Sequence, residues 1–202
     1  MFNTTKNPQR NPRMIDTLLP AFFMLNRYFS RRPSDASALH LLSLICERLG
    51  HYSYGEQLVE RAISILEAAY EETEDPEVEM RYTIANCTLG RLKHSLSDFE
   101  GSAASFESAL GLLVDKSTDD GQTRTLKVQA HLGLGLANFF QGNLEEALGY
   151  LEEGLICAEE DLTLRGQIVI VLAQTLWAIN TEETKESAKS RLLEWYLPSN
   201  CL

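Results

Sequence analysis

Few residues in this chain have the type and spacing that chemistry requires. The four histidines, His40, His51, His94 and His131, form no HExxH and no other paired metal-ligand spacing. Cys46, Cys87, Cys157 and Cys201 lie 41, 70 and 44 residues apart with no CxxC pair, so zinc-ribbon and thioredoxin-type chemistry lack their ligands. Three of the cysteines sit among apolar residues and read as reduced, buried thiols acting as small hydrophobes. The paired carboxylates Glu145-Glu146, Glu152-Glu153 and Glu159-Glu160 recur every seven residues. That rhythm puts them on one solvated helical face, which is not an arrangement for general acid and base work. Gly133-x-Gly135 is followed by no Gly-Lys-Ser, so a P-loop is excluded. No Ser or Cys has the glycine context of a nucleophile elbow. The sequence predicts no enzyme, no metal and no cofactor, which leaves binding as the function to look for.

The elements that would position binding residues are helices in pairs. Leu39 to Ser43 opens an apolar-periodic helix, Leu49-Gly50-His51-Tyr52 breaks it, and Gly55, Val59 and Ala62 share one face of a second. The same order returns twice. Asn86-x2-Leu89-Gly90-x2-Lys93 precedes Ser102-x3-Phe106-x2-Ala109, and His131-x2-Leu134-Gly135-x2-Asn138 precedes Ala147-x3-Leu151-x2-Gly154. Small residues in phase mark where two antiparallel helices cross closely, because Gly, Ala or Ser removes bulk at the crossing. A glycine inside a helix costs about 1 kcal/mol relative to alanine, so its return at one phase points to a packing need.

This pattern resembles the tetratricopeptide repeat (TPR), which runs W-x2-L-G-x2-Y, then A-x3-F, then P. Leu39, Asn86 and His131 stand where that family carries its aromatic. Gly55 to Ser102 is 47 residues and Ser102 to Ala147 is 45, against the usual 34. The additions fall in 69–81 and 115–127 and are expected to lengthen the second helix of each pair and the following loop. Ala21-x3-Leu25-x2-Tyr28 matches a second helix, Pro33 the closing proline, and Ser34-Asp35 can cap the next helix. The resemblance implies an all-α, right-handed α-solenoid of antiparallel helix pairs. It comprises a half repeat at 14–33, repeats at about 36–69, 83–114 and 128–161, and a degenerate one at 166–197. Residues 1–13, rich in Asn, Thr and Pro, are expected to be disordered.

Charge narrows the partners. The chain is net −11, yet residues 1–32 are net +5 through Lys6, Arg10, Arg13, Arg27, Arg31 and Arg32. An acidic body is unsuited to direct nucleic-acid contact or to anionic membranes. The apolar run Leu18–Leu25 is too short to span a bilayer, and no signal-cleavage site follows it. A cytoplasmic protein is expected. Seven carboxylates lie between Glu67 and Glu79 with no base, as a solvated helix end or a docking surface for a basic partner.

Within the TPR family, chaperone-tail binding requires a clamp of fixed positive charges on groove-facing first helices. His40, Leu44, Thr88, Gln129 and Gly133 occupy those positions and cannot build one. The stretch Leu42 to Gly50, with Glu60-Arg61-Ala62 and Leu132–Leu148, is similar to the large repeat scaffold of the fungal superkiller complex. That resemblance implies a scaffold holding RNA helicase and β-propeller subunits in cytoplasmic mRNA decay by the exosome. A regulatory TPR adaptor that captures one short peptide is the alternative. In either case the groove is expected to be lined by Arg91, His94, Gln129, Leu132, Leu136 and Phe139, apolar with one basic edge. Apolar residues on the first helix (Leu18, Leu19, Phe22, Phe23, Phe29) and the last (Leu192, Leu193, Trp195, Tyr196, Leu197) are expected to contact further repeats or partners, or to drive self-association.

Overall fold

A computed structural model describes residues 12–116, 120–158 and 161–196. Among these, every regular element is helical: α1 (Pro12–Phe29), α2 (Ala36–Leu49), α3 (Tyr52–Thr73), α4 (Pro76–Ser95), α5 (Phe99–Gly111), α6 (Gly121–Gln141), α7 (Leu144–Cys157), α8 (Leu162–Ile179) and α9 (Glu182–Tyr196). The expectation for residues 1–13 lies almost wholly outside the described part; the backbone of Pro12 and Arg13 is helical.

Local chemistry sets the helix ends. Asp35, Asp75, Asp98, Asp120 and Asp161 each stand at an N-cap and accept backbone N–H groups of the first turn, such as Ala38 at 3.0 Å and Gly101 at 2.9 Å. Gly50 and Gly142 end α2 and α6 with φ of 79° and 86°, a left-handed backbone that β-carbons disfavour. Each helix then folds back on its predecessor, and α2, α4, α6 and α8 also meet side by side. The product is a right-handed α-solenoid of antiparallel pairs.

Its core is distributed along the stack. Leu39, Leu42, Cys46, Leu58 and Ala62 fill the α2–α3 pair. Val59, Leu66, Ala85, Leu89 and Leu92 bridge α3 and α4. Phe106, Ala109, Leu126, Ala130 and Leu134 join α5 to α6, and Leu151, Ile168, Leu172 and Ala188 join α7 to α8 and α9. By length and composition alone α8 could cross a membrane. Its buried Ile168, Leu172 and Thr175 instead seat it in the core as a packed helix.

Helix lengths correct one expectation. The addition at 69–81 is shared between a long α3 and the start of α4, while α5 is short and the addition at 115–127 goes into the first turns of α6. Pro76 and Asp120 explain the partition, because each sets a new helix start early. Of the three cysteines expected to be buried, Cys46 and Cys87 are, whereas Cys157 is only half-buried. Cys46 and Cys87 are buried free thiols, and burial pushes them up to about 11 and about 12; Cys201 lies outside the described residues.

Candidate functional site: a concave groove on the first helices

Side-by-side packing of α2, α4, α6 and α8 leaves a groove of about 910 Å³. Its walls are mainly apolar, with Leu44, Ile84, Leu126, Leu132, Leu136 and Leu164 from the four helices and Leu18 of α1 at one end. Helical periodicity explains the α6 wall, since Gln129, Leu132 and Leu136 recur at steps of three and four residues along one face.

Glycines let the wall close. A β-carbon on Gly133 would lie 2.3 Å from the Phe106 ring, and one on Gly90 would lie 2.7 Å from the same ring. Phe106 therefore projects from α5 between α4 and α6, with a bare backbone on each side, and its edge reaches the groove floor. Gly135 gives Leu151 the same clearance in the next pair, at 2.5 Å, and Gly166 gives it to Trp195 at 2.7 Å. The Leu-Gly steps of α4 and α6 thus accommodate the large residues, Phe106 and Leu151, of the A-x3-F-like steps on α5 and α7. The Ser102 hydroxyl donates to the Gly90 carbonyl at 2.9 Å and pins this crossing.

Polar chemistry on the groove wall is concentrated in one network. Arg91 donates from Nε and Nη2 to the two carboxylate oxygens of Glu47 at 3.0 and 3.2 Å, a bidentate pair that ties α4 to α2. Nη2 also reaches Thr88 Oγ1 at 3.3 Å. Thr88 donates to the Ile84 carbonyl and lies 3.0 Å from His40 Nε2, so the imidazole donates from that nitrogen. Burial, and after it the Arg91 charge, hold His40 below its ordinary value.

Each expected groove residue has a definite place. Arg91, His94, Gln129, Leu132 and Leu136 line the groove; Phe139 does not. The last turn of α6 carries Phe139 away, half-buried and edge-on to Phe140 at 5.4 Å. Arg91 faces the groove, but its charge is already met by Glu47, so the expected basic edge is neutralised within the chain. Arg48, exposed on the same rim, forms no ion pair among the described residues. His94 is pushed down by burial and packs edge-on against Phe99 and Phe140, both at 5.3 Å, while those two rings stack at 5.0 Å. The clamp positions His40, Leu44, Thr88, Gln129 and Gly133 all line the groove, and none carries a fixed positive charge.

The other candidates are surface or packing features. Glu145, Glu146, Glu152 and Glu153 are exposed on α7, with Glu152 meeting Arg191 at 3.5 Å; Glu159 and Glu160 lie outside the described residues. His131 packs against α7 with Nδ1 3.5 Å from Glu153 Oε2, a separation that makes no hydrogen bond, and burial pushes its pKa down. Part of the acidic run is satisfied internally. Glu79 pairs with Lys116 and accepts from Tyr70, Glu77 pairs with Arg81, and Glu67 accepts from Tyr82. At the ends, Leu19, Phe23, Leu192, Leu193 and Tyr196 are exposed, whereas Phe22 and Phe29 pack on the first core cluster and Trp195 packs at Gly166. Leu197 lies outside the described residues.

No protein-family model matches the chain. Superkiller protein 3 of Saccharomyces cerevisiae is 28% identical over 191 residues, covering 95% of this chain and 13% of that protein. Superkiller protein 3 of Schizosaccharomyces pombe is 29% identical over 174 residues, covering 86% and 12%. The chain therefore spans about an eighth of the length of these relatives. Among solved structures, a protein of nearly identical TPR-like repeats from Podosopora anserina superposes with a TM-score of 0.67 at 14% identity, covering 89% of this chain and 85% of that one. The helix pairs, the glycine-cleared crossings and these likenesses together give the chain a tetratricopeptide-repeat-like fold and a similarity to Superkiller protein 3 along most of its length.

Proposed function

We propose that this chain is a non-catalytic scaffold that holds protein partners through its concave groove, within a cytoplasmic mRNA-decay assembly of the superkiller type. The observation that carries the reading is the groove itself, continuous over four first helices and walled by leucine and isoleucine. A wall of this kind takes an apolar face of a partner segment by the helix-in-groove mode. Its internal Arg91–Glu47 pair leaves Leu44, Leu132 and Leu136 as the contacts that supply affinity.

On this reading the partners are RNA helicase and β-propeller subunits, and nucleic acid is met only through them. On the same reading α1 is the half repeat, and the repeats expected at about 36–69, 83–114 and 128–161 and the degenerate one at 166–197 correspond to the pairs α2–α3, α4–α5, α6–α7 and α8–α9. Exposed apolar residues on α1 and α9 add end contacts, including self-association. Co-expression with candidate helicase and β-propeller subunits, followed by gel filtration, tests the scaffold reading. Co-elution as one stable complex supports it. Separate elution, with only a weak peptide ligand captured, would overturn it in favour of a peptide adaptor.

A further inference from the structure

The turn between α1 and α2 carries chemistry that the groove does not use. Ser30, Arg31, Arg32, Pro33 and Ser34 are five consecutive exposed residues. Ser34 makes no hydrogen bond among the described residues, and its hydroxyl stands free in front of the cap residue Asp35. Two arginines precede it by three and two positions. Arg31 forms no ion pair among the described residues, and Arg32 only leans over the Tyr28 ring at 5.5 Å and donates to Tyr28 Oη at 3.2 Å. In a chain of net charge −11, these two arginines close the basic N-terminal stretch, beside a free serine. An acidic kinase cleft selects that arrangement, because paired arginines at fixed offsets meet its carboxylates.

We propose that Ser34 is a phosphorylation site for an arginine-directed serine kinase, and that the phosphate loosens the hold of α1 on α2. In the transfer, Ser34 Oγ bonds to the γ-phosphorus of a nucleoside triphosphate and the bond to the β-phosphate oxygen breaks. The nucleoside diphosphate leaves, and the hydroxyl proton passes to the kinase's catalytic aspartate.

The consequence follows from what surrounds the turn. Tyr28 Oη donates to Asp35 Oδ2 at 2.9 Å, and this clasp joins the last turn of α1 to the cap of α2. Arg32 supports it from the other side of the tyrosine. A phosphate carries roughly −1.5 to −2 at neutral pH. It draws Arg31 and Arg32 into charge-assisted bonds, taking Arg32 off Tyr28, and sets a second negative group beside Asp35. The rest of the attachment includes Phe22, Leu25 and Phe29 on the first core cluster, with Phe22 edge-on to Tyr54 and Arg61 over the Phe29 ring, so α1 loosens without unfolding the stack. Leu18 of α1 lines one end of the groove, which couples the turn to that surface.

Two other serines have an arginine three positions before them, and the structure sets them apart. Ser30 donates to the Asn26 carbonyl at 2.8 Å, and Ser64 lies inside α3 and donates to Glu60 at 3.2 Å. The test is incubation of the whole chain with ATP and the catalytic subunit of cyclic-AMP-dependent protein kinase, read by mass spectrometry and amide hydrogen exchange. One phosphate at Ser34 is expected, absent in Ser34→Ala and formed at least about tenfold more slowly in Arg31→Ala and in Arg32→Ala. Exchange across α1 should quicken at least about threefold on phosphorylation while α4 to α9 stay as they were. No phosphate at Ser34, preferential labelling of Ser30 or Ser64, or indifference to both arginine variants would overturn the site. Unchanged or slower exchange in α1 of the phosphorylated chain would overturn the loosening.

Discussion

Gly133→Ala is the sharpest probe of how the groove wall is built. In an open helix interior the change should stabilise, because alanine is favoured over glycine by about 0.8–1.0 kcal/mol. At Gly133 the new β-carbon would sit 2.3, 2.4 and 2.6 Å from three carbons of the Phe106 ring. The ring cannot swing toward α4, where Gly90 already leaves it no more than a bare backbone's clearance, and it is only 3% exposed. Overpacking of this kind costs about 1–3 kcal/mol, and the closed escape route puts Gly133 at the upper end. Subtracting the propensity gain leaves a net loss of about 2 kcal/mol. For a chain of this size that lowers Tm by roughly 4–8 °C. Gly149→Ala is the control, since nothing lies within 4 Å of its β-carbon position in α7; it should gain about 1 kcal/mol. Thermal unfolding followed by circular dichroism and urea titration reads both. Combining Gly133→Ala with Phe106→Leu should be less destabilising than the sum of the two changes by about 1 kcal/mol. If Gly133→Ala matches Gly149→Ala in stability, the ring is not wedged and the packing argument is wrong.

Other expectations follow from named contacts. Arg91→Glu should cost about 1–2 kcal/mol by setting two carboxylates together on α2 and α4, and the swap Glu47→Arg with Arg91→Glu should recover most of it, as urea unfolding would register. Failure of the swap to recover stability would mean that the pair contributes no specific link. Burial holds His40, His94 and His131 below the ordinary value of 6.5, so the folded state binds fewer protons than the unfolded chain just below that pH. Stability is therefore full above about pH 7 and should fall as pH drops through 6.5 toward 5, with a shallower fall in His131→Phe; a flat Tm over that range would contradict it.

How much of this was legible in the sequence depends on the range of the interaction. The paired helices could be read from the A-x3-F steps and in-phase glycines because both are fixed within one or two turns. The shared face of Gln129, Leu132 and Leu136 is likewise a local consequence of helical periodicity. Glu47 as the partner of Arg91 could not be read, because the two are 44 positions apart and meet only once α2 and α4 pack side by side. The same holds for the Phe99–Phe140 stack, whose rings lie on different helix pairs. Phe139 continues the periodic face of Leu132 and Leu136 on paper but stands in the last turn of α6, beyond the residues that line the groove. Gly133 was visible as a glycine, but its purpose was hidden, since the ring it accommodates comes from the preceding pair.

Capture of the partner by the concave wall is open to direct measurement. The direct measurement is the affinity of a purified helicase or β-propeller subunit, by isothermal titration, for the native chain, for Leu44→Glu and Leu136→Glu in the groove, and for Glu145→Lys on exposed α7. Each groove variant should lose about 30-fold or more, equivalent to about 2 kcal/mol at a buried anchor, with unfolding midpoints close to native and Glu145→Lys near wild type. Equal affinities for the native chain and both groove variants would contradict it.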